Sequence, residues 1–139
     1  MESYQLIIKL GETFETCAGK LGFFSFPKGF YIYTGSARRN LEARIQRHLL
    51  KFKKLHWQID YLLKDLNANI VQIERSLERE CKWNKNVHGK IISPGFGSSD
   101  CVEKCESHLK YFDSLNLGNE NWKKSTVEKY EISQIQYTF

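Results

Sequence analysis

Gly29-Phe-Tyr31-Ile-Tyr33-Thr-Gly35-Ser-Ala37 runs into Leu41-Glu-Ala-Arg44-Ile-Gln-Arg47-His48, and the change of period between the two halves decides how the chain is read. The first half is aromatic and β-branched, the composition of a pleated, half-buried strand, and Gly35 closes it as a turn. The second half places Leu41, Ile45, His48 and Leu49 at helical spacing, with Ser36 or Asn40 positioned to cap its N-terminus. Arg44 and His48, four residues apart, project from one face of that helix. A strand-end tyrosine, Tyr33, beside an arginine and a histidine is what a site handling a phosphodiester needs. Guanidinium forks onto phosphate oxygens, and imidazole and phenol give or take protons. Taken singly, each residue has a plainer reading: Arg44 as part of a solvated helix face, His48 as a cover over apolar surface near a helix end.

Outward from this core, Tyr4-Gln-Leu-Ile-Ile-Lys-Leu10 predicts a buried strand and Thr13-Phe-Glu-Thr-Cys17 an alternating, half-exposed one. Gly19, Gly22 and Pro27 punctuate the next stretch, with residues 21–26 and 29–34 as further strands, so the N-terminal region reads as an antiparallel meander. Residues 56–63 predict a second helix, 69–74 an alternating strand, and 76–83 a helix capped by Ser76. Residues 94–100 have loop composition, 107–112 are a strand or a helix edge, 115–125 a loop, and 130–137 are strand-like.

The chain has 139 residues, a length for one domain. Apolar residues make up 41 %, enough to bury a core without disulfide or metal staples. With 21 Lys and Arg against 16 acids the net charge is +5, which suits a polyanionic partner and equally a soluble surface. Arg38, Arg39, Arg44, Arg47, Lys51, Lys53 and Lys54 crowd the basic helix and its exit with only Glu42 against them. No apolar run is long enough for a membrane span. The four Cys in a chain without a secretory signal point to free thiols and a cytoplasmic location.

Five stretches in order resemble the GIY-YIG nuclease superfamily, and within it a branch common in archaea and sometimes fused to endonuclease III. They are residues 29–37, 41–48, Lys54-Leu-His-Trp-Gln-Ile-Asp-Tyr-Leu62, Glu80-Cys81, and Phe96-Gly-Ser-Ser-Asp-Cys101 with Ser107-His-Leu109. Tyr33-Thr34-Gly35 matches the second half of the family motif. Glu2-Ser3-Tyr4 answers to the first half through its tyrosine alone. The long gap from Tyr4 to Tyr33 implies an inserted hairpin at about residues 11–26. The resemblance implies an α+β fold: a small, mostly antiparallel central sheet carrying Tyr4 and Tyr33 side by side, flanked by helices, over residues 1–112, with 113–139 as a C-terminal extension.

It also implies a metal-dependent endonuclease on DNA, or RNA. Tyr4 would take the water proton, aided by Tyr33 or His48. Arg44 would hold the scissile phosphate, and Glu80 would bind one Mg²⁺ or Mn²⁺ as Lewis acid. Arg38, Arg39, Arg47, Lys51 and Lys54 would line the nucleic-acid surface. His56 and Asp60, on one face of a helix, would support the site, as would Ser99, Asp100 and His108. The plainer reading of that helix is a polar edge beside Trp57 and Ile59 in the core. The alternative function is a nucleic-acid-binding module of the same fold without turnover.

Cys101-Val-Glu-Lys-Cys105 with His108 resembles half of a zinc site, which Cys81 could complete. Reduced thiols are the preferred expectation over structural zinc, with a Cys101–Cys105 disulfide as a further option. A zinc-stabilised interaction domain is the third functional class.

Overall fold

The computed structural model describes residues 2–98 and 101–115, and the backbone of 128–130. Its elements are β1 (Glu2–Leu10), β2 (Phe14–Cys17), β3 (Phe23–Phe26), β4 (Gly29–Ala37), α1 (Leu41–Leu49), α2 (Gln58–Leu63), β5 (Ala68–Ser76), α3 (Glu80–Lys85), β6 (Leu109–Phe112) and β7 (Glu128–Tyr130). The five-stranded sheet has the order β6-β4-β1-β5-β7, and every pairing is antiparallel. This is the α+β architecture expected. Ser99, Asp100 and the expectations for residues 116–127 and 131–137 lie outside the described residues.

The N-terminal meander is corrected in one respect. β2 and β3 leave the sheet as a separate hairpin, and β1 pairs directly with β4 from Glu2↔Ala37 to Leu10↔Gly29. The hairpin is therefore an insertion, as the Tyr4–Tyr33 gap implied. Its Phe26 is fully buried and packs edge-on to Tyr31 and Phe96, which anchors the hairpin to the main core.

Alternation along β1 sorts the sheet into two faces. Tyr4, Leu6, Ile8 and Leu10 join Tyr31, Ile73 and the inward residues of α1 (Leu41, Ile45) and α2 (Ile59, Leu62, Leu63) in the main core. Ile7 and Ile32 meet Val87 on the other face. A slip of β1 by one residue would turn Leu6, Ile8 and Leu10 to the wrong face, at about 1.5–3 kcal/mol for each side chain. That cost fixes the register, and the register sets Tyr4 opposite Gly35 and Leu6 opposite Tyr33.

Gly35 is required by space. A Cβ there would stand 2.6 Å from Tyr4 Oη and 2.7 Å from Tyr4 Cζ. Gly35→Ala is expected to cost about 1–3 kcal/mol by overpacking and to push the Tyr4 ring off its seat. Urea unfolding checks it, and a change within about 0.5 kcal/mol would overturn the close-approach argument.

α1 starts where Asn40, at φ +47°, accepts a hydrogen bond from Ala43 N at 3.2 Å. Asparagine tolerates that left-handed backbone, so Asn40 and not Ser36 is the cap. The helix expected over 76–83 is shorter. Ser76 stays in β5 opposite Ser3, its Oγ accepts from Glu78 N at 3.0 Å, and α3 begins at Glu80. Among the described residues no helix is long and apolar enough to cross a membrane.

Candidate functional site

Tyr4, Tyr33, Gly35, Ser36, Arg38, Arg39, Arg44, Glu80, Gly97 and Cys101 line one cleft of about 670 Å³. β1 contributes Tyr4, β4 contributes Tyr33, α1 contributes Arg44 and α3 contributes Glu80 at its first turn. The two phenol rings are 6.3 Å apart between centroids. His48 lies behind Tyr4, buried, with Nε2 2.7 Å from Tyr4 Oη. Its Nδ1 has no hydrogen-bond partner among the described residues.

Burial sets the charge states. It raises the Tyr4 phenol well above its ordinary value; Tyr33 adds to the rise, and Arg44 draws it back only in part. Tyr33 is raised as well, by burial first and by Glu80 second, against Arg44. Burial and then Lys53 lower His48 to about 3, with Asp60 opposing. Both phenols and the imidazole are therefore neutral at pH 7.

Arg44 is held in place by two contacts. Its Nη1 donates to the Ser36 carbonyl at 2.7 Å, and its guanidinium carbon sits 4.6 Å from the centre of the Trp57 ring. Trp57 is the residue sequence reasoning missed. Its pattern suggests a core residue, and it packs against the main core, but its ring is also a cation–π platform that Arg47 approaches at 4.5 Å. An aromatic one turn before Asp60 and next to a run of cations was the available signal.

The other cations divide sharply. Arg38 and Arg39 are exposed at the cleft. Arg47 is corrected: its fork engages Asp60 through Nη1–Oδ1 at 3.0 Å and Nη2–Oδ2 at 2.9 Å. Lys51 is corrected too, because its Nζ donates to the carbonyls of Leu63 at the end of α2 and of Asp65 and Ala68 after it. A cation that closes off backbone carbonyls is spent on the fold. Lys54 is exposed and is not part of the cleft lining. The expected His56–Asp60 pairing runs through backbone, since Asp60 Oδ2 accepts from His56 N and Trp57 N, both at 2.9 Å, while the His56 ring is exposed beside Trp57. Asp60 supports the cleft indirectly, by fixing Arg47 and the turn that carries Trp57.

The expectation for the cofactor is overturned. Among the described residues, the group with metal-ligand geometry is Cys81, Cys101, Cys105 and His108, whose ligand atoms all lie within 4.8 Å of one another. Those are soft donors of the kind that select zinc, not magnesium or manganese. Glu80 is engaged otherwise, with Oε2 3.0 Å from His108 Nδ1. Burial opposes ionisation of Glu80, but hydrogen bonds from His108 and Ser36 prevail and hold its carboxyl below the ordinary value. The preference for unligated thiols over zinc fails on the same geometry. The spacing of Cys101 and Cys105 could not show that α3 delivers Cys81 to them. All four cysteines are free of disulfides, which removes the Cys101–Cys105 option.

With the cleft and the cluster defined, the chain can be placed by comparison. It belongs to the family described as Domain of unknown function DUF123, whose model matches residues 3–131. No curated protein and no solved structure matches it significantly.

Proposed function

We propose that the cleft binds a nucleic-acid phosphodiester, DNA first and RNA second, and hydrolyses it. The observation that carries this is the convergence of Tyr4, Tyr33, Arg44 and Glu80, drawn from four separate elements, on one basic-rimmed cleft. The resemblance of the Tyr33-Thr34-Gly35 and Leu41–His48 stretches to the GIY-YIG nuclease superfamily supports the same reading. Such a protein would work in the cytoplasm.

In this reading Arg44 is the phosphate clamp. Ser36 and Trp57 fix its orientation, so little ordering remains to be done when the anion arrives. Arg38 and Arg39 at the rim supply the salt-sensitive attraction to the backbone. Tyr4 and His48 form a proton path. Neither is a base by itself at pH 7, but water can pass its proton to Tyr4 Oη as the phenol proton moves to His48 Nε2. An anion in the cleft raises the basicity of His48, because it offsets the cations that help depress it.

A second reading has specific support. The placement of both proton carriers far from the range of a neutral-pH base favours a module that binds nucleic acid without cutting it. Supercoiled plasmid and labelled oligonucleotides, with and without EDTA, separate the two. Nicking supports hydrolysis, and salt-sensitive binding with no cutting in either condition supports the second reading.

Arg44→Lys tests the clamp. Lysine keeps the charge but lacks the planar fork that sits over Trp57. The expected loss in phosphodiester binding or turnover is about 10- to 100-fold, the worth of one hydrogen bond to a charged group. Full retention by Arg44→Lys would show that charge alone suffices.

A further inference from the structure

We propose that Cys81, Cys101, Cys105 and His108 hold one Zn²⁺ in a closed tetrahedral site, and that Glu80 is the carboxylate that orients His108 for it. The metal then fixes one wall of the cleft. The metal site itself does not depend on the hydrolytic reading.

The geometry argues this in three steps. First, the ligand set is complete and enclosed. Cys81, Cys105 and His108 are each at most 9 % exposed, and Cys81 Sγ lies 3.0 Å from Cys101 Sγ and 3.9 Å from His108 Nε2. A tetrahedral zinc with sulfur ligands at about 2.3 Å needs ligand–ligand edges of about 3.8 Å, so small movements seat the ion. The 3.0 Å separation is well beyond a covalent S–S bond of about 2.05 Å.

Second, the tautomer of His108 is fixed by its neighbours. Nδ1 faces only acceptors, Glu80 Oε2 at 3.0 Å and the Thr34 carbonyl at 3.1 Å. It therefore carries a proton, so the nitrogen left to bind a metal through its lone pair is Nε2, on the side of the thiols. A carboxylate behind a ligating histidine is the usual support for a zinc-bound imidazole.

Third, the backbone is shaped for sulfur. Cys105 N donates to Cys101 Sγ at 3.5 Å, and Lys104, at φ +54°, turns the chain so that both cysteines face inward. The ligands come from α3, the 101–105 turn and the residue before β6. The ion therefore ties together parts of the chain that share no strand pairing. Four protein ligands leave no open position for water, which makes the site structural. Its reach into the cleft is direct: Cys81 follows Glu80 on α3, and Glu80 and Cys101 are themselves cleft residues.

The test uses the full chain purified without a chelating tag under reducing conditions, with metals measured by mass spectrometry. One zinc per chain is expected. Withdrawal of zinc by a competing chelator should lower the melting temperature, and added Zn²⁺ should restore it. Cys105→Ser should retain less than a tenth of the zinc. If that variant does not fold, chelator withdrawal from the native chain decides the matter. Glu80→Gln should still load zinc but bind it about 10- to 100-fold more weakly in chelator competition.

A folded chain that carries no zinc and takes none from buffered Zn²⁺ overturns the site. So does a stoichiometric load of another metal, or recovery of the thiols as a disulfide. Unchanged zinc affinity in Glu80→Gln overturns the orienting role. Zinc loading is measured without substrate. A chain that loads zinc and never cuts nucleic acid therefore leaves the metal site standing and removes only the hydrolytic reading.

Discussion

On the hydrolytic reading, Tyr4→Phe is expected to lower turnover by about 10²- to 10⁴-fold, the usual worth of a positioned proton carrier, while oligonucleotide affinity changes by no more than about twofold. The substitution removes one oxygen and keeps the ring that packs against Gly35 and Tyr33. That oxygen is the group 2.7 Å from His48 Nε2, so the proposed proton path would end with it. In the proposed path the two residues act as a unit. A His48→Ala variant should lose about as much, and the double variant little more than either alone. The pH profile carries a further sign. His48, lowered to about 3, stays neutral through pH 5–8, so any cleavage by the free protein should show no inflection near the ordinary histidine value of 6.5. Single-turnover cleavage of a labelled duplex from pH 5 to 8 measures both. If Tyr4→Phe cuts as fast as the parent, the phenol is outside the proton path and the binding-only reading gains.

Why Tyr33, Arg44 and His48 were legible in the sequence is clear from how they are placed. Alternation set the face of β4, and a four-residue interval set the face of α1; both are local rules. Tyr4 was harder, because its partner residue Gly35 is reached only through strand pairing across an inserted hairpin. The cations were read least well. Spacing says that Arg47 and Lys51 sit on a basic helix and its exit. It does not say that Asp60 or the carbonyls after α2 will be folded beneath them. The same limit left the metal cluster ranked below reduced thiols, although its four residues were named. Cys81 and Cys101 are twenty residues apart, and only the docking of α3 beside β4 brings them together. The Ser76 helix failed for a different reason. The residues after it favour helix, but Leu77 is 84 % exposed, so no apolar face was available to hold one there.

Asp60→Ala is expected to be strongly destabilising, at about 3–5 kcal/mol. Asp60 is fully buried, and its two oxygens accept from both Arg47 nitrogens and from the backbone of His56 and Trp57. Removing the carboxylate leaves Lys53 Nζ without the acid 3.9 Å away and two N–H groups at the start of α2 without an acceptor. It also frees Arg47 from one side of Trp57, so the platform under Arg44 loosens and phosphate binding should weaken as well. The pH dependence has a definite direction. Burial alone would raise the Asp60 carboxyl, but Arg47 and the His56 and Trp57 amides outweigh it and hold the group below its ordinary 3.8. Its contribution is therefore complete above pH 4 and is lost as pH falls through the folded value. His48 acts in the same direction over an earlier window. The unfolded chain takes up its proton below 6.5 while the folded one resists down to about 3, so stability drains away across that interval. A series of urea midpoints from pH 7 downward checks both: the parent itself should lose stability as pH falls below 6.5, and its gap to Asp60→Ala should be widest at pH 7 and begin to narrow only once pH falls below 3.8. A gap that stays constant would mean that Asp60 stabilises the fold through packing and not through its charge.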